Sequence, residues 1–565
     1  MGDEPVDEPA KSVEDGENGR RIAFWSVARR IAAQCAICLL LFAAAVVWRW
    51  HFTRGDLWLD EADYATAATR SLDANRWDTS HNSARDSALI ALRHFHPPFA
   101  SEVLMVALKF GADERTLRIP AVVFGALSVV LVYLCGLEIF RGRRILSFAC
   151  AAIVIVTPAC VRAASHALPW SYITFWLLLD IWGLVRFCRT PNVIAMGIIG
   201  VSLGGMLCTS EMFFPQLLGT GLAAPFVFAI AWRSAGGRAA LARGLALGAL
   251  SFVLVSAALF PAGLLGGTYA MLHHYMVMAH DEFPVSVGRR VYDRAPKWSY
   301  LYWYWHGFRW EFVWYVAAIP GALVLAARRR LTAGHGALAA MALTILGTSE
   351  AAHILGPEYL CHVLPMLTLL GGLLVEAVSD LQAYVGSALA VAWMALCAVQ
   401  PGSMTLAGMD VRSRMPRWAA ASRFLAARWK QGDYMLAPAY ASVGRWYMLH
   451  YAGAKAQDWQ IEALPSGRAP ARLLSDMRDG LYKYAAVGST FSDTYTVDWR
   501  ISILMRHWKE IWHSDEHGTG ISRLTLFEIP PGVSSRHPLW LPPVRARRPL
   551  TPAAPPAGLP PIIFF

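Results

Sequence analysis

The stretch LWLDEADYA, residues 57–65, places two carboxylates side by side, Asp60 and Glu61, shortly after an apolar run long enough to cross a bilayer. A carboxylate within hydrogen-bond reach of a hydroxyl can take its proton as that oxygen attacks. Adjacent acids raise each other's pKa, and partial desolvation raises it further, which tunes such a base toward neutral pH. If 57–70 is helical, Asp60, Asp63 and Tyr64 share a face while Glu61 turns about 100° away, so the pair divides its work and Glu61 orients the loop. The plainer reading is a solvated acidic pair capping an interfacial helix. In both readings the loop lies just above the lipid headgroups, where a lipid-borne substrate would meet it.

Other residues able to do chemistry gather in neighbouring segments. HFHPP sets His96 before two prolines whose fixed φ angles define a turn. TPACVRAASHALPWSY carries Arg162 and His166 at the end of an apolar run, where an arginine either anchors the helix at the interface or faces a phosphate. HHYMVMAHDEFP brings His280, Asp281 and Glu282 together; such residues can hold a divalent ion, but consecutive side chains point different ways and a solvated loop fits better. Glu211, Glu350, His353 and Glu358 fall at the expected outer ends of apolar runs, as they would around a cavity open to that side.

The elements that position these groups are membrane spans. The chain has 565 residues, 56% hydrophobic and only 16% charged, with too much apolar sequence for one water-soluble core. Eleven stretches approach the ~20 apolar residues a bilayer requires: 31–48, 119–140, 145–161, 170–188, 192–209, 213–232, 244–265, 312–327, 336–353, 359–378 and 383–401. With these spans, the clusters Arg29/Arg30, Arg141/Arg143/Arg144, Arg186/Arg189, Arg233/Arg238/Arg243 and Arg328/Arg329/Arg330 fall on one face, which is then cytoplasmic. Topology accounts for most of the net charge of +11, and a nucleic-acid role is excluded. Loops 49–118 and 266–311 and everything after 402 then lie outside. FASEVLMVALKF, 99–110, would reach only about 18 Å as a helix and suits the interface, with Phe99, Val103, Val106 and Phe110 on one face and Glu102 and Lys109 turned away. The run 298–315 holds eleven aromatics, an aromatic belt at a membrane boundary.

Residues 1–30, acidic then basic, read as a disordered cytoplasmic tail, and the first span itself serves as the membrane signal. All nine cysteines lie in or beside apolar runs, so neither a disulfide framework nor a CxxC zinc site is indicated. From 403 to 528 the pattern changes to helix 416–430, strand DYMLAPA, helix 441–452, a helix near 468–480, strand KYAAVG, helix 497–508 and strand ISRLTLFEI. Such alternation predicts a small α/β domain outside the membrane. Residues 529–565 are Pro-rich and cannot build a core.

Asp60-Glu61 with Tyr64, His96-Pro97-Pro98, the run Gly111, Glu114, Arg118 and Pro120, the basic stop at 141–144 and the weaker GPEYLCHVLPML together resemble the polyprenyl-phosphate-dependent glycosyltransferases of the C-type membrane fold (GT-C). The likeness is to the branch that holds protein O-mannosyltransferases and the lipid A aminoarabinose transferase. It is best over 50–145. It implies a polytopic α-helical membrane protein of about eleven transmembrane helices in a bacterial inner membrane. It also implies a polyprenyl-phosphate-linked sugar as donor, and a lipid, glycan or protein hydroxyl as acceptor. On this resemblance Asp60 is the base, and Tyr64, His96, Arg118, Arg162, His166 and Glu358 are candidates for binding the donor phosphate and substrate. Phe95 stands where the aminoarabinose transferase carries an acid, and the next outer loop lacks a second acid, so a divalent cation is left open as a cofactor. Two rivals differ in class. A transporter or flippase of lipid-linked sugars should show repeat-related halves and broken helices near the midplane, and a non-catalytic relative would bind such lipids without turnover.

Overall fold

The computed structural model describes residues 12–57, 59–73, 97–260, 264, 271–272, 285–287, 290–292, 296, 301–302, 305, 309–351, 357–399, 417–437, 441–456, 461–462, 482–488, 508–514 and 524–530. The loop residues 74–96 with His96, the triad His280, Asp281 and Glu282, the helices expected near 468–480 and 497–508, and nearly all of the Pro-rich tail lie outside them.

The chain is predominantly helical. Its helices are α1 (Ser12–Trp50), α2 (Leu59–Asp73), α3 (Phe99–Leu108), α4 (Glu114–Ile139), α5 (Arg144–Val156), α6 (Pro158–Ser165), α7 (Trp170–Arg189), α8 (Val193–Leu207), α9 (Phe213–Arg233), α10 (Gly237–Leu259), α11 (Arg309–Val316), α12 (Ala318–Ala327), α13 (Ala333–Ala351), α14 (Leu364–Ser379), α15 (Ala383–Ala398), α16 (Trp418–Ala426) and α17 (Ala441–Ala452). Each of the eleven expected spans coincides with helix. Among the described residues, however, only six helices are long and apolar enough to cross a membrane, and a seventh span arises if α5 and α6, bent by 62° at Thr157, count as one. The shorter apolar helices α3, α8, α14 and α15 do not meet that length.

Large apolar side chains point outward from the spans, among them Leu39 and Val47 of α1, Phe228 and Trp232 of α9, and Leu250 and Leu254 of α10. That is the pattern of helices whose outer solvent is hydrocarbon. Inside the bundle, α8 and α10 approach backbone to backbone: a Cβ on Gly200 would stand 2.0 Å from the Gly248 carbonyl oxygen. Small residues admit such close packing in membranes. Members of three of the five basic clusters meet: Arg141 donates to the Arg330 carbonyl, Arg143 pairs with Asp380, and Arg186 and Arg189 both pair with Glu138, at the end of α4 that leads into Arg141.

Two expectations change. The helix α1 reaches back to Ser12, into the stretch read as a disordered tail. Once a long apolar span has nucleated a helix, extending it costs little, because the expensive step is already made. On α3 the packed face is Ala100, Ser101, Leu104 and Met105, whereas Val106 and Phe110 are exposed. The apolar residues expected to share one face of an interfacial helix therefore split: Phe99 packs inward, where α3 meets α2 and α4, while Val106 and Phe110 turn out, as a helix in contact with lipid would.

The C-terminal unit is a mixed five-stranded sheet with α16 and α17 packed together beside it. Its strands are β3 (Met435–Leu436), β4 (Ile461–Glu462), β5 (Tyr484–Gly488), β6 (Lys509–His513) and β7 (Leu524–Glu528), in the order β4-β3-β5-β7-β6. β3 runs parallel to β4 and β5, and β7 is antiparallel to both β5 and β6. A separate hairpin, β1 (Val285–Val287) and β2 (Arg290–Tyr292), lies in the loop before α11.

Candidate active site

The acidic pair opens α2, with Asp60 and Glu61 in its first turn. Carboxylates are stabilised there by the unsatisfied N–H groups and the positive end of the helix dipole. The two residues part as their spacing requires: Asp60 is exposed and Glu61 is completely buried.

Glu61 is held from two directions. Arg118 of α4, itself buried, donates from Nε to Oε1 at 2.8 Å and from Nη2 to Oε2 at 2.7 Å, a fork matched to the carboxylate. The Ala167 N–H donates to Oε1 at 2.6 Å. Glu61 thus joins α2, α4 and the turn between α6 and α7.

Arg118 also shapes the loop that leads into α2. Its Nη1 donates to the carbonyls of Thr53 and Gly55, each at 2.9 Å, and its Nη2 to that of Asp56 at 2.9 Å. With the two bonds to Glu61, all five of its N–H donors are spent on protein oxygens. Gly55 takes φ = 101°, a left-handed conformation that side chains resist and that lets successive carbonyls turn toward the guanidinium. Asp113 starts α4 by accepting from the Arg115 and Thr116 N–H groups, which fixes the turn carrying Glu114 and Arg118.

The other candidates fall at different distances from this centre. Tyr64 is buried on α2. Arg162 is buried on α6, and its carbonyl accepts from His166 Nδ1 at 2.9 Å. That bond puts the proton of a neutral ring on Nδ1 and leaves Nε2 as the lone pair. Burial pushes the His166 pKa down to about 4, against the opposing pull of Glu61, so the ring is neutral at physiological pH. Glu358 lies in the short 3-10 turn Pro357–His362. Among the described residues no three His, Cys, Asp or Glu side chains form a metal-binding group.

The sequence did not single out Tyr447, Asp56 or Arg49. From α17, the buried Tyr447 hydroxyl donates to Glu114 Oε1 at 2.8 Å and accepts from the Leu57 N–H at 2.9 Å. Asp56 Oδ2 accepts from the Ala419 N–H in the first turn of α16 at 2.9 Å. Burial raises the Asp56 pKa to about 6, with Glu114 adding to it. The C-terminal unit therefore grips the loop that precedes the acidic pair. An acidic residue just before LWLDE was visible in the sequence, but nothing local pointed to its partner 363 positions away.

No protein-family profile matches the chain. A 213-residue segment is 29% identical to the undecaprenyl phosphate-alpha-4-amino-4-deoxy-L-arabinose arabinosyl transferases of Pseudomonas paraeruginosa (strain PA7) and Pseudomonas aeruginosa (strain PAO1). The match spans 36% of this chain and only 37% of each relative. The crystal structure of ArnT from Cupriavidus metallidurans bound to undecaprenyl phosphate superimposes with a TM-score of 0.56, at 14% identity, over 89% of this chain and 98% of that one. Its apo state gives 0.55, at 13% identity, over 90% and 99%. The chain has the fold of these proteins, the C-type membrane glycosyltransferase fold with a small C-terminal α/β unit.

Proposed function

We propose that this protein is an inverting glycosyltransferase acting on the outer face of its membrane, moving a sugar from a polyprenyl-phosphate donor to a hydroxyl of a lipid, glycan or protein. The observation that carries the reading is the division within the acidic pair: Glu61 is immobilised by Arg118 and the Ala167 N–H, while Asp60, one residue earlier, is presented at the surface of the same helical turn. The likeness to arabinosyl transferases named for an undecaprenyl-phosphate donor supports the donor class.

In the proposed reaction the acceptor oxygen attacks the anomeric carbon from the face opposite the phosphate. Asp60 takes the hydroxyl proton as the C–O bond forms, and the bond from the anomeric carbon to the phosphate oxygen breaks with its electron pair leaving on polyprenyl phosphate. Glu61 holds the turn and does not react. Arg118, with every donor engaged, acts as a positioning residue and not as the phosphate contact the sequence suggested. The developing charge on the leaving phosphate is left to other cations, with Arg162 and His96 as the sequence candidates. In this reading the N-terminus is cytoplasmic and the C-terminal unit lies on the outer side of a bacterial inner membrane.

The test is transfer by the purified protein in nanodiscs from undecaprenyl-phosphate-linked sugars to extracted envelope lipids and glycans, read by mass spectrometry. Asp60→Asn should lower turnover by about 10²- to 10⁴-fold while leaving expression and membrane insertion intact. Near-normal turnover in that variant removes Asp60 as the base.

A further inference from the structure

We infer that Arg49, at the outer end of the first span, is a binding site for the phosphate of a lipid-linked substrate. The inference rests on the functional reading above and adds to it a residue that the reading does not use.

Arg49 is 1% exposed. Its side chain enters the bundle between α4, α5 and α6. A Cβ on Gly125 would stand 2.3 Å from Ala164 Cβ and 3.4 Å from Arg49 Nε, so the glycine lets α6 close on α4 and leaves the guanidinium its place. On the α5 side its hydrogen bond is long: Nη2 reaches the Val154 carbonyl at 3.5 Å. Nε and Nη1, which carry three N–H donors between them, have no hydrogen-bond partner among the described residues.

An arginine stays protonated, so its charge must be met. A buried cation without a counter-charge is strongly unfavourable, and such groups are kept where they coordinate something. A buried carboxylate elsewhere in the bundle is Glu311 of α11. Arg49 and Glu311 both lie within electrostatic reach of Cys160, yet they form no ion pair, and Glu311 Oε2 likewise has no partner among the described residues.

The position suits a phosphate. Four residues beyond Arg49, the Thr53 carbonyl accepts from Arg118, which in turn holds Glu61. Arg49 therefore stands at the foot of the loop that presents Asp60, and α6, on its other side, carries Arg162. The unspent donors can take phosphate oxygens by charge-assisted hydrogen bonds. The leaving group of the proposed transfer needs such a cation, while Arg118 has no donor to give it.

The test uses the full-length protein in detergent, comparing wild type with Arg49→Met, Arg49→Lys and Glu311→Gln. Thermal unfolding is followed alone and with undecaprenyl phosphate, a dioleoyl phosphatidic acid or inorganic phosphate. Without additive, Arg49→Met should unfold at or above the wild-type temperature, because it removes a buried charge that no described residue meets. Its affinity for undecaprenyl phosphate should fall at least tenfold, Arg49→Lys should recover part of the loss, and Glu311→Gln should bind like wild type. Equal binding by wild type and Arg49→Met overturns the inference. So does loss of folding in Arg49→Met, or a matching drop in unfolding temperature in Arg49→Met and Glu311→Gln without additive, which would mark a structural ion pair. If undecaprenyl phosphate leaves wild type unmoved while phosphatidic acid binds through Arg49, the phosphate site stands and the glycosyl-donor reading falls.

Discussion

The hydroxyl of Tyr447 donates to Glu114 across 333 residues of chain, joining the second helix of the C-terminal unit to the first turn of α4. Burial holds its pKa far above the ordinary phenol value, so it is always a donor, and its oxygen also accepts from the Leu57 N–H. Tyr447→Phe strips both bonds and leaves a buried N–H and a carboxylate oxygen unmet. The expected cost is about 1–3 kcal/mol in denaturant unfolding. Because Leu57 is only three residues before Asp60, turnover should drop several-fold with little change in KM. A variant that loses stability but keeps full turnover would confine Tyr447 to holding the two units together.

The Glu61–Arg118 fork makes a sharper demand. Removing one partner of a buried pair leaves the other charge uncompensated, at about 3–5 kcal/mol. Arg118→Lys should come close to that figure, since an ammonium cannot reach Glu61 and the Thr53, Gly55 and Asp56 carbonyls from one position. Glu61→Gln combined with Arg118→Met should cost less than the sum of the two single changes, a coupling that a double-mutant cycle reads directly.

Local pattern carried the sequence reading as far as local pattern reaches. Asp60-Glu61 and the Glu114, Arg118, Pro120 run could be picked out because their spacing is short, and helical periodicity alone placed Glu61 away from Asp60. What spacing does not encode is which donors are already spent: Arg118 read as a phosphate ligand until five oxygens around it were visible. Arg49 drew no notice just past the first span, because burial at a helix terminus depends on what packs over it, here α4 to α6. The strands β4 and β6 were missed for a related reason. β4 is two residues long, and β6, KEIWH, mixes exposed with partly buried positions, so neither shows the alternation that marks a half-buried strand.

Gly125 gives a steric prediction. A methyl group there would stand 2.3 Å from Ala164 Cβ, which α6 can relieve only by moving away from α4. Gly125→Ala should cost about 1–3 kcal/mol by overpacking. Gly125→Ala combined with Ala164→Gly should recover most of it, because the second change returns the lost space. Unfolding temperatures of the three variants check this.

Acid titration separates two partly buried groups whose effects oppose each other. Asp56 has a folded pKa of about 6, above the ordinary carboxylate value, because burial disfavours its charge and Glu114 adds to this, against the Ala419 N–H, Arg118 and Arg417. The folded state then binds its proton more tightly than the unfolded chain does, and its contribution to stability is present at low pH and lost as pH rises through about 6. His166 runs the other way. Burial lowers its folded pKa to about 4, so the unfolded chain binds the proton more readily, and its contribution is present above the ordinary imidazole pKa and lost as pH falls toward 4. In wild type the two slopes partly cancel between pH 4 and 6. Asp56→Asn, which keeps an acceptor for the Ala419 N–H, should make the unfolding temperature fall more steeply than wild type on acidification. His166→Asn, which keeps a donor for the Arg162 carbonyl, should make it fall less steeply or rise. Other titrating groups are common to all three proteins and drop out of the differences. Parallel curves for the two variants would show that neither group titrates where its surroundings place it.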